Sequence, residues 1–116
     1  MTVLRMWRAE IRRALRAEYV AYVTATGLAA YRSTAGNLGA SIAVRDLDAE
    51  RSEIVTLSWW TGPEALRAFA GDDFQRARYF PDDDRYLLTR PELVLHYDAS
   101  LSMPATVTGA GHGEPT

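Results

Sequence analysis

The chain has 116 residues, a net charge of −2 and a pI near 5.6, with 24% charged and 47% hydrophobic residues. This size fits one domain with a single core, and the balanced charge gives no reason to expect nucleic acid or an anionic membrane surface as a partner. No run approaches the roughly 18 apolar residues of a membrane span, and no apolar signal segment follows the N-terminal arginines, so a cytoplasmic location is expected.

Two residue types are missing, and their absence narrows the possible chemistry. The chain has no cysteine, which excludes disulfides, thiolate catalysis and cysteine-ligated metals. All 13 basic residues are arginine, so no side chain can form a Schiff base with a carbonyl substrate.

The first half of the chain predicts a strand, a helix and a second strand. Residues 3–11 roughly alternate between apolar and polar side chains, which predicts the first strand. Apolar residues recur at helical spacing over residues 13–26, and Gly27 is expected to end that helix. A turn at residues 33–36 is followed by a second alternating segment, from Leu38 to Val44.

The second half begins with a hairpin and continues into a helix. A polar connection at residues 46–51 leads to the third strand, Glu53 to Trp60. Thr61 and Glu64 have the spacing of a capping box, and Pro63 suits the first turn of a helix.

The remaining segments are shorter. Asp72 and Gln75 repeat the capping-box spacing and predict a second helical piece. An acidic loop at 81–85 leads to the last strand, 92–98. Residues 99–116 are rich in Ser, Thr, Gly, Ala and Pro and are expected to form a disordered tail.

The order of these elements is β-α-β-β-α-β, which predicts an α+β, ferredoxin-like domain over residues 1–98 with a four-stranded antiparallel sheet. Helices would cover one face of that sheet. Adjacent apolar residues in the third and fourth strands, such as Ile54 with Val55 and Val94 with Leu95, indicate that both faces are buried. A second copy of the chain is the simplest cover for the other face, so a homodimer is predicted.

In their order and spacing, these segments resemble the antibiotic biosynthesis monooxygenase family of dimeric α+β barrels. The resemblance covers most of residues 5–98. The chain departs from the family at Ala35, where members commonly have proline, and at Thr61 and Gly62, where they often have an acidic residue and serine. The matching segments are Trp7-Arg8, the helix with Tyr19 and Tyr22, Thr34 to Gly39, Ser58 to Trp60, Phe69 to Gly71, Tyr79 to Arg85, and His96-Tyr97.

The resemblance implies several chemistries. Members of the family carry out cofactor-free oxygenation of aromatic polyketides, haem degradation, or isomerisation and cyclisation of small molecules. Fold alone does not choose among them.

Two residues are candidates for catalysis. His96 is the only histidine in the predicted domain, and an ordinary histidine pKa suits a general base. A structural histidine bonded to backbone is the alternative. Asn37 lies before the second strand, where its amide could stabilise a substrate oxyanion, although a turn asparagine bonded to backbone would have the same position.

Aromatic residues are the candidates for substrate binding. Strand alternation places Trp59 and Trp60 on opposite faces, and the resemblance favours Trp60 for the substrate side. A purely structural role in the core is the alternative for either one. The candidate set is Trp60, Trp7, Tyr31, Tyr79 and Tyr86.

No bound cofactor or metal is expected. The Gly36 to Gly39 turn lacks the G-x-G-x-x-G spacing of a dinucleotide site. Asp82 to Asp84 are expected to form a solvated turn. His112 lies in the tail, so a two-histidine metal site is not expected, whereas a single axial histidine leaves haem as an alternative.

These observations lead to one hypothesis and three alternatives. The hypothesis is a cofactor-independent monooxygenase of secondary metabolism that binds a hydrophobic aromatic or polyketide-like molecule. His96 would remove a proton, Asn37 or a tyrosine would stabilise the anion, and the anion would react with molecular oxygen. The alternatives are a cyclase or isomerase with a similar substrate, a haem-binding or haem-degrading protein, and a non-catalytic dimeric ligand-binding accessory protein.

Overall fold

The computed structural model describes residues 2–100. The predicted tail lies outside this range from residue 101 onward. The strands are β1 (Val3–Arg12), β2 (Asn37–Asp46), β3 (Arg51–Trp60) and β4 (Leu95–Asp98), and the helices are α1 (Arg16–Val23), α2 (Ala29–Arg32) and α3 (Pro63–Ala70).

The four strands form one antiparallel sheet in the order β2-β3-β1-β4. The long strands β1 and β3 pair over their full length, from Val3 opposite Trp60 to Arg12 opposite Arg51. The short strand β4 pairs with the first half of β1. This arrangement confirms the predicted α+β, ferredoxin-like fold.

Alternation along the strands gives the sheet two different faces. The inner face carries Val3, Ala9 and Ile11 of β1 and is covered by the helices, which bury these residues. The outer face carries apolar residues that are only partly buried or are exposed, such as Leu57 and Leu95. Trp59 and Trp60 lie on opposite faces, as parity predicted, and Trp60 is on the inner face, which the family resemblance favoured.

The core between sheet and helices consists of two clusters. The first is built around Ile11, Tyr19 and Ile54 and is covered by α1. The second is built around Trp60, Leu66 and Phe69 and is covered by α2 and α3. Along β1, the side chains of Arg5 and Trp7 lie between these clusters, so the core is interrupted at the centre of the sheet.

The helical segment after β1 is longer than the sequence predicts. Gly27 does not end it, because a π turn at Thr24–Leu28 joins α1 directly to α2. Glycine in this turn has no positive φ, and a Cβ at Gly27 would make only an ordinary contact, at 3.7 Å from Val23 Cγ1. A glycine ends a helix where a left-handed conformation is needed, and here it is not.

Two other details of the prediction are wrong. The α3 helix begins with Pro63 as predicted, but its N-cap is Gly62 and no side chain caps it, so the Thr61–Glu64 capping box does not form. The next helical turn after α3 is a short 3₁₀ helix at Asp83–Arg85, and no helix forms from Asp72 to Gln75. The chain there forms turns and is tied instead by an isolated bridge between Arg76 and Leu93.

Candidate functional site

A cavity of about 490 Å³, part of it open to solvent, lies between the inner face and the helices, at the gap between the two core clusters. We call it the central cavity. Its walls are Arg5, Trp7 and Thr56 from the sheet, Tyr19, Val23, Thr26, Gly27 and Tyr31 from the α1–α2 segment, Phe69 of α3, and Arg78, Phe80, Asp83 and Val94 from the loops.

Arg5 forms the floor of the central cavity and is 2% exposed. Its Nη1 donates to the Phe74 carbonyl oxygen at 2.7 Å and to His96 Nε2 at 3.1 Å. Its Nε has no hydrogen-bond partner among the described residues. Burial is the main cause that lowers the Arg5 pKa, while the Tyr31 phenol raises it and the Arg78 guanidinium lowers it.

No carboxylate neutralises Arg5 within the described part of the chain. None of the ion pairs among residues 2–100 includes it. Its guanidinium instead contacts the face of Phe69, whose centroid lies 5.4 Å from the guanidinium carbon. A buried cation with an unused donor at a cavity wall is equipped to bind an anion.

His96 lies on the inner face of β4, directly opposite Arg5 in the β1–β4 register. Because a guanidinium only donates, His96 Nε2 is the acceptor, and the proton of the neutral ring lies on Nδ1. Burial, and then the charge of Arg5, lower the His96 pKa to about 4. His96 also contacts Phe74 edge-on and reaches the cavity through Arg5 rather than as part of its wall.

Arg78 lies at the mouth of the central cavity with its side chain partly in water. Its Nη1 donates to the Phe69 carbonyl oxygen at 2.8 Å, and its guanidinium stacks on Phe69 and on Phe80 at 4.9 and 5.6 Å. Its position adds a second positive charge to the cavity, above Arg5.

Both oxygens of the carboxylate in the cavity wall, Asp83, accept hydrogen bonds from the protein itself. It is 4% exposed; its Oδ1 accepts from the Tyr19 hydroxyl at 3.0 Å and its Oδ2 from the Phe80 amide at 2.7 Å. The predicted solvated turn at Asp82 to Asp84 is therefore wrong for Asp83, which ties the loop to α1. Burial is the main cause that raises the Tyr19 pKa, and Asp83 adds to it.

The structure brings two predicted aromatic residues to the cavity and places a third behind them. Trp7 and Tyr31 line the wall. Tyr79 contacts Trp7 edge-on, with ring centroids 6.1 Å apart, and its hydroxyl donates to the Pro91 carbonyl oxygen at 2.5 Å. Tyr79 therefore positions Trp7, because the Trp7 indole N–H reaches its hydroxyl at 3.4 Å.

Besides His96 and Tyr79, three predicted residues lie outside the wall. Trp60 is 0% exposed and packs behind Tyr31, with its indole N–H bonded to Ser58. Asn37 donates to the Trp59 and Gly39 carbonyl oxygens at 3.2 and 3.3 Å, at the bulge where β2 begins. Tyr86 stacks on Tyr19 in the first core cluster.

Sequence reasoning missed Arg5, although a signal was present. Arg5 has Val3 and Trp7 two residues away on either side, and the alternation of a strand places all three on one face. The same alternation that predicted the buried positions of β1 therefore places this arginine among them.

The described residues give no sign of a metal centre. Within residues 2–100, no group of three or more His, Asp or Glu side chains is arranged to hold a metal ion. None of the helices in the described part of the chain has the length and apolar character that crossing a bilayer requires.

The solved structures that share this fold include the following two. One is a provisionally assigned antibiotic biosynthesis monooxygenase from Bacillus cereus, 18% identical, which matches with a TM-score of 0.60 over 90% of this chain and 98% of its own. The other is a heme-degrading protein from Mycobacterium tuberculosis, in a heme-free form with cleaved protein. It is 20% identical, with a TM-score of 0.56 over 90% of this chain and 100% of its own.

These likenesses confirm the fold that the sequence resemblance implied. At such identities they establish the fold alone. No protein-family model matches the sequence, and no curated protein is significantly similar to it.

Proposed function

We propose that this chain is a cofactor-independent monooxygenase of secondary metabolism that acts on an aromatic or polyketide-like small molecule in the central cavity. The observation that carries the proposal is the composition of that cavity: aromatic rings on several sides, and at its floor Arg5, which is hydrogen-bonded to His96 behind it. Aromatic walls with a few convergent polar groups are typical of sites for flat, apolar ligands. The likeness to a provisionally assigned monooxygenase of the same fold agrees with it.

In the proposed reaction, the substrate stacks against Trp7, between the sheet and the helices. His96 accepts an acidic C–H or O–H proton after Arg5 Nη1 turns from His96 Nε2 toward the substrate, which frees that nitrogen. The Tyr31 hydroxyl, buried in the wall beside Arg5, stabilises the anion. Tyr31 takes the role considered for Asn37, whose amide is bonded to backbone outside the cavity.

The oxygen step uses the substrate itself as the reductant. The anion donates electrons to dioxygen and forms a C–O bond, and protonation gives a hydroperoxide. Loss of water from a hydroperoxide whose carbon still carries hydrogen leaves a carbonyl group. One oxygen atom enters the product, the other leaves as water, and the electrons balance without a further co-reactant.

Haem is less well supported as a cofactor, although one structure of the same fold is a heme-degrading protein. An axial histidine must offer a free ring nitrogen to the iron. His96 Nε2 is occupied by Arg5 Nη1 at 3.1 Å, and His96 does not line the cavity. Haem binding through His96 therefore needs the same displacement of Arg5 as the proposed proton transfer, and the haemin titration below separates the two.

The proposal includes a homodimer in the cytoplasm, with the outer faces of two sheets packed together. Leu95 and Tyr97 are 49% and 46% exposed on that face. They are continuous with partly buried Leu4, Met6 and Leu57. An apolar surface of this kind is typical of a contact between protein copies.

The test uses anthrone, an aromatic ketone with an acidic CH₂ group, with EDTA present. We expect the protein to accelerate both oxygen uptake and anthraquinone formation above the spontaneous rate. His96→Gln should lower the catalysed rate by about 100-fold or more, as expected for loss of a general base. Trp7→Phe should lower it by a smaller factor, whereas the matched Trp59→Phe change on the outer face should leave it unaltered.

The other outcomes separate the remaining functions. A rearranged product without oxygen uptake would indicate a cyclase or isomerase. Binding of anthrone without any turnover would indicate an accessory protein. A Soret shift with haemin that disappears in His96→Gln would replace the proposal by haem binding.

A further inference from the structure

We infer that the central cavity selects a ligand that carries an anionic oxygen group, a carboxylate or a phenolate, and that Arg5 binds this group. The inference rests on the proposed function for the cavity as a ligand site, and it adds the substrate class. In the reaction proposed above, the anionic group of the substrate binds Arg5, and His96 accepts a proton from a C–H bond of the same substrate.

The first argument is that Arg5 is a buried cation with no ion-pair partner among the described residues. Burying a cation without a carboxylate partner is unfavourable because the charge loses its hydration, and folded proteins almost always pair such groups. Here the Nε is unused, and no ion pair within the described residues includes this side chain. An anion in the cavity would supply both the missing acceptor and the missing charge.

The second argument is the charge of the whole cavity wall. Arg5 at the floor and Arg78 at the mouth carry positive charge. The carboxylate of Asp83 accepts from the Tyr19 hydroxyl and the Phe80 amide, so its two oxygens are directed into the loop and α1. His96 is neutral because it accepts from Arg5. The wall therefore has an excess of positive charge that a neutral ligand would leave uncompensated.

The third argument is the geometry of the neighbours. Arg5 is held from one side by the Phe74 carbonyl and by His96, both through Nη1. The guanidinium packs on the Phe69 ring, and both Phe69 and Trp7 line the cavity with it. A flat ring with an acidic oxygen can contact the aromatic residues and reach the guanidinium at the same time.

The test compares two ligands of the same shape, 2-naphthoate and 2-naphthamide, by titration calorimetry at pH 7.5. We expect wild type to bind the carboxylate about tenfold or more tightly than the amide, as expected for a charge-assisted hydrogen bond in a buried site. Arg5→Met should abolish this preference and leave the affinity for the amide within about twofold. Arg78→Met, at the exposed mouth, should reduce the preference by about threefold.

Arg67→Met is the matched control. Arg67 is an exposed arginine that stacks on Phe74, belongs to no ion pair among the described residues and does not line the cavity. Its loss removes the same charge, so the naphthoate preference should persist. If Arg5→Met does not fold, the wild-type comparison and Arg78→Met still test the inference.

A third ligand, 4-nitrophenol, distinguishes the two kinds of anion. If phenolates bind at Arg5, the pKa of bound 4-nitrophenol, followed by its absorbance, should fall in wild type and return to its free value in Arg5→Met. An unchanged nitrophenol pKa together with a naphthoate preference would assign the site to carboxylates.

Two results would overturn the inference in different ways. Equal binding of naphthoate and naphthamide by wild type, or a preference that survives Arg5→Met, would remove the anion site and leave the proposed function standing. Binding of neither ligand would remove the aromatic cavity as a ligand site, and the proposed function with it.

Discussion

Arg5 is a buried cation and His96 has a lowered pKa because of where the two residues lie in the sheet. The central strand β1 places Arg5 between Ser58 on one side and His96 on the other, all on the inner face. The helices above exclude water, so the charge of Arg5 acts on His96 through a medium that screens poorly. The imidazole therefore stays neutral and holds the guanidinium, which in turn faces the cavity.

The first prediction concerns the stability of this pair against pH. The folded chain binds the His96 proton with a pKa of about 4, below the ordinary value of 6.5. Between these two pH values the unfolded chain binds a proton that the folded chain does not, so the stabilisation present above pH 6.5 is lost as the pH falls toward 4. Allowing for partial exposure of the ring, the loss is on the order of 2 kcal/mol.

Urea unfolding of wild type and His96→Gln at several pH values measures this effect. Subtracting the two curves removes the contribution of the surface carboxylates, which both proteins share. The difference in unfolding free energy should change between pH 6.5 and 4 and stay flat above pH 7. A difference that is flat throughout would mean that His96 titrates normally.

Strand parity predicted more of the site than residue type did. Alternation placed Trp59 and Trp60 on opposite faces, as observed, and the family resemblance favoured Trp60 for the inner one. It does not tell which inner-face residues border a gap and which fill the core, because that depends on the helices above. Trp60 is therefore core and Trp7 is cavity wall, although both are tryptophans on the same face.

At the level of elements, strands were predicted well and helix ends poorly. Strand bounds follow from local alternation, which the register of the sheet enforces. Helix ends depend on backbone conformation and on neighbours that are distant in sequence. Gly27 lies inside a continuous helical segment, and Thr61 contacts the turn at Gly36 instead of capping α3.

The turn at Gly36 gives a prediction at this level. Gly36 has a φ of 92°, and a Cβ there would lie 2.5 Å from Ala65 Cβ and 2.9 Å from Thr61 Oγ1. Gly36→Ala should therefore cost about 3 kcal/mol of unfolding free energy, from the left-handed backbone and from the displaced start of α3. Denaturant unfolding measures the change.

Gly27→Ala is the matched control for that substitution. The nearest atom to a Cβ placed there, Val23 Cγ1, would be 3.7 Å away, and the φ of Gly27 is not positive. Alanine should stabilise the helical segment by about 0.5–1 kcal/mol. An equal decrease in unfolding free energy for Gly36→Ala and Gly27→Ala would show that the packing of α3 against the Gly36 turn does not contribute to stability.

At the level of the whole molecule, the two faces of the sheet differ in composition. The inner face holds the core and the cavity, whereas the outer face is apolar over one half and charged over the other. In the charged half, Glu53 pairs with Arg45 and Arg8 at 2.8 and 3.9 Å. This division predicts that the apolar half is the contact between two copies and that the charged half borders it.

The last prediction tests this assembly. Wild type should sediment with a mass of about twice 12.9 kDa at micromolar concentration. Leu57 lies in the apolar half between Ser41 and Met6 on the neighbouring strands. Leu57→Asp would bury an unpaired carboxylate in the contact, so it should weaken dimerisation by at least about 100-fold and leave the far-UV circular dichroism unchanged.

Ala68→Asp, on the exposed side of α3, adds the same carboxylate away from the outer face and should remain dimeric. The pair separates a specific contact from a general effect of charge. A wild-type monomer at micromolar concentration, or a Leu57→Asp dimer as tight as wild type, would show that the outer face is not the contact. Since the cavity lies on the inner face, a monomeric Leu57→Asp should still distinguish 2-naphthoate from 2-naphthamide, because assembly and ligand binding depend on opposite faces of one sheet.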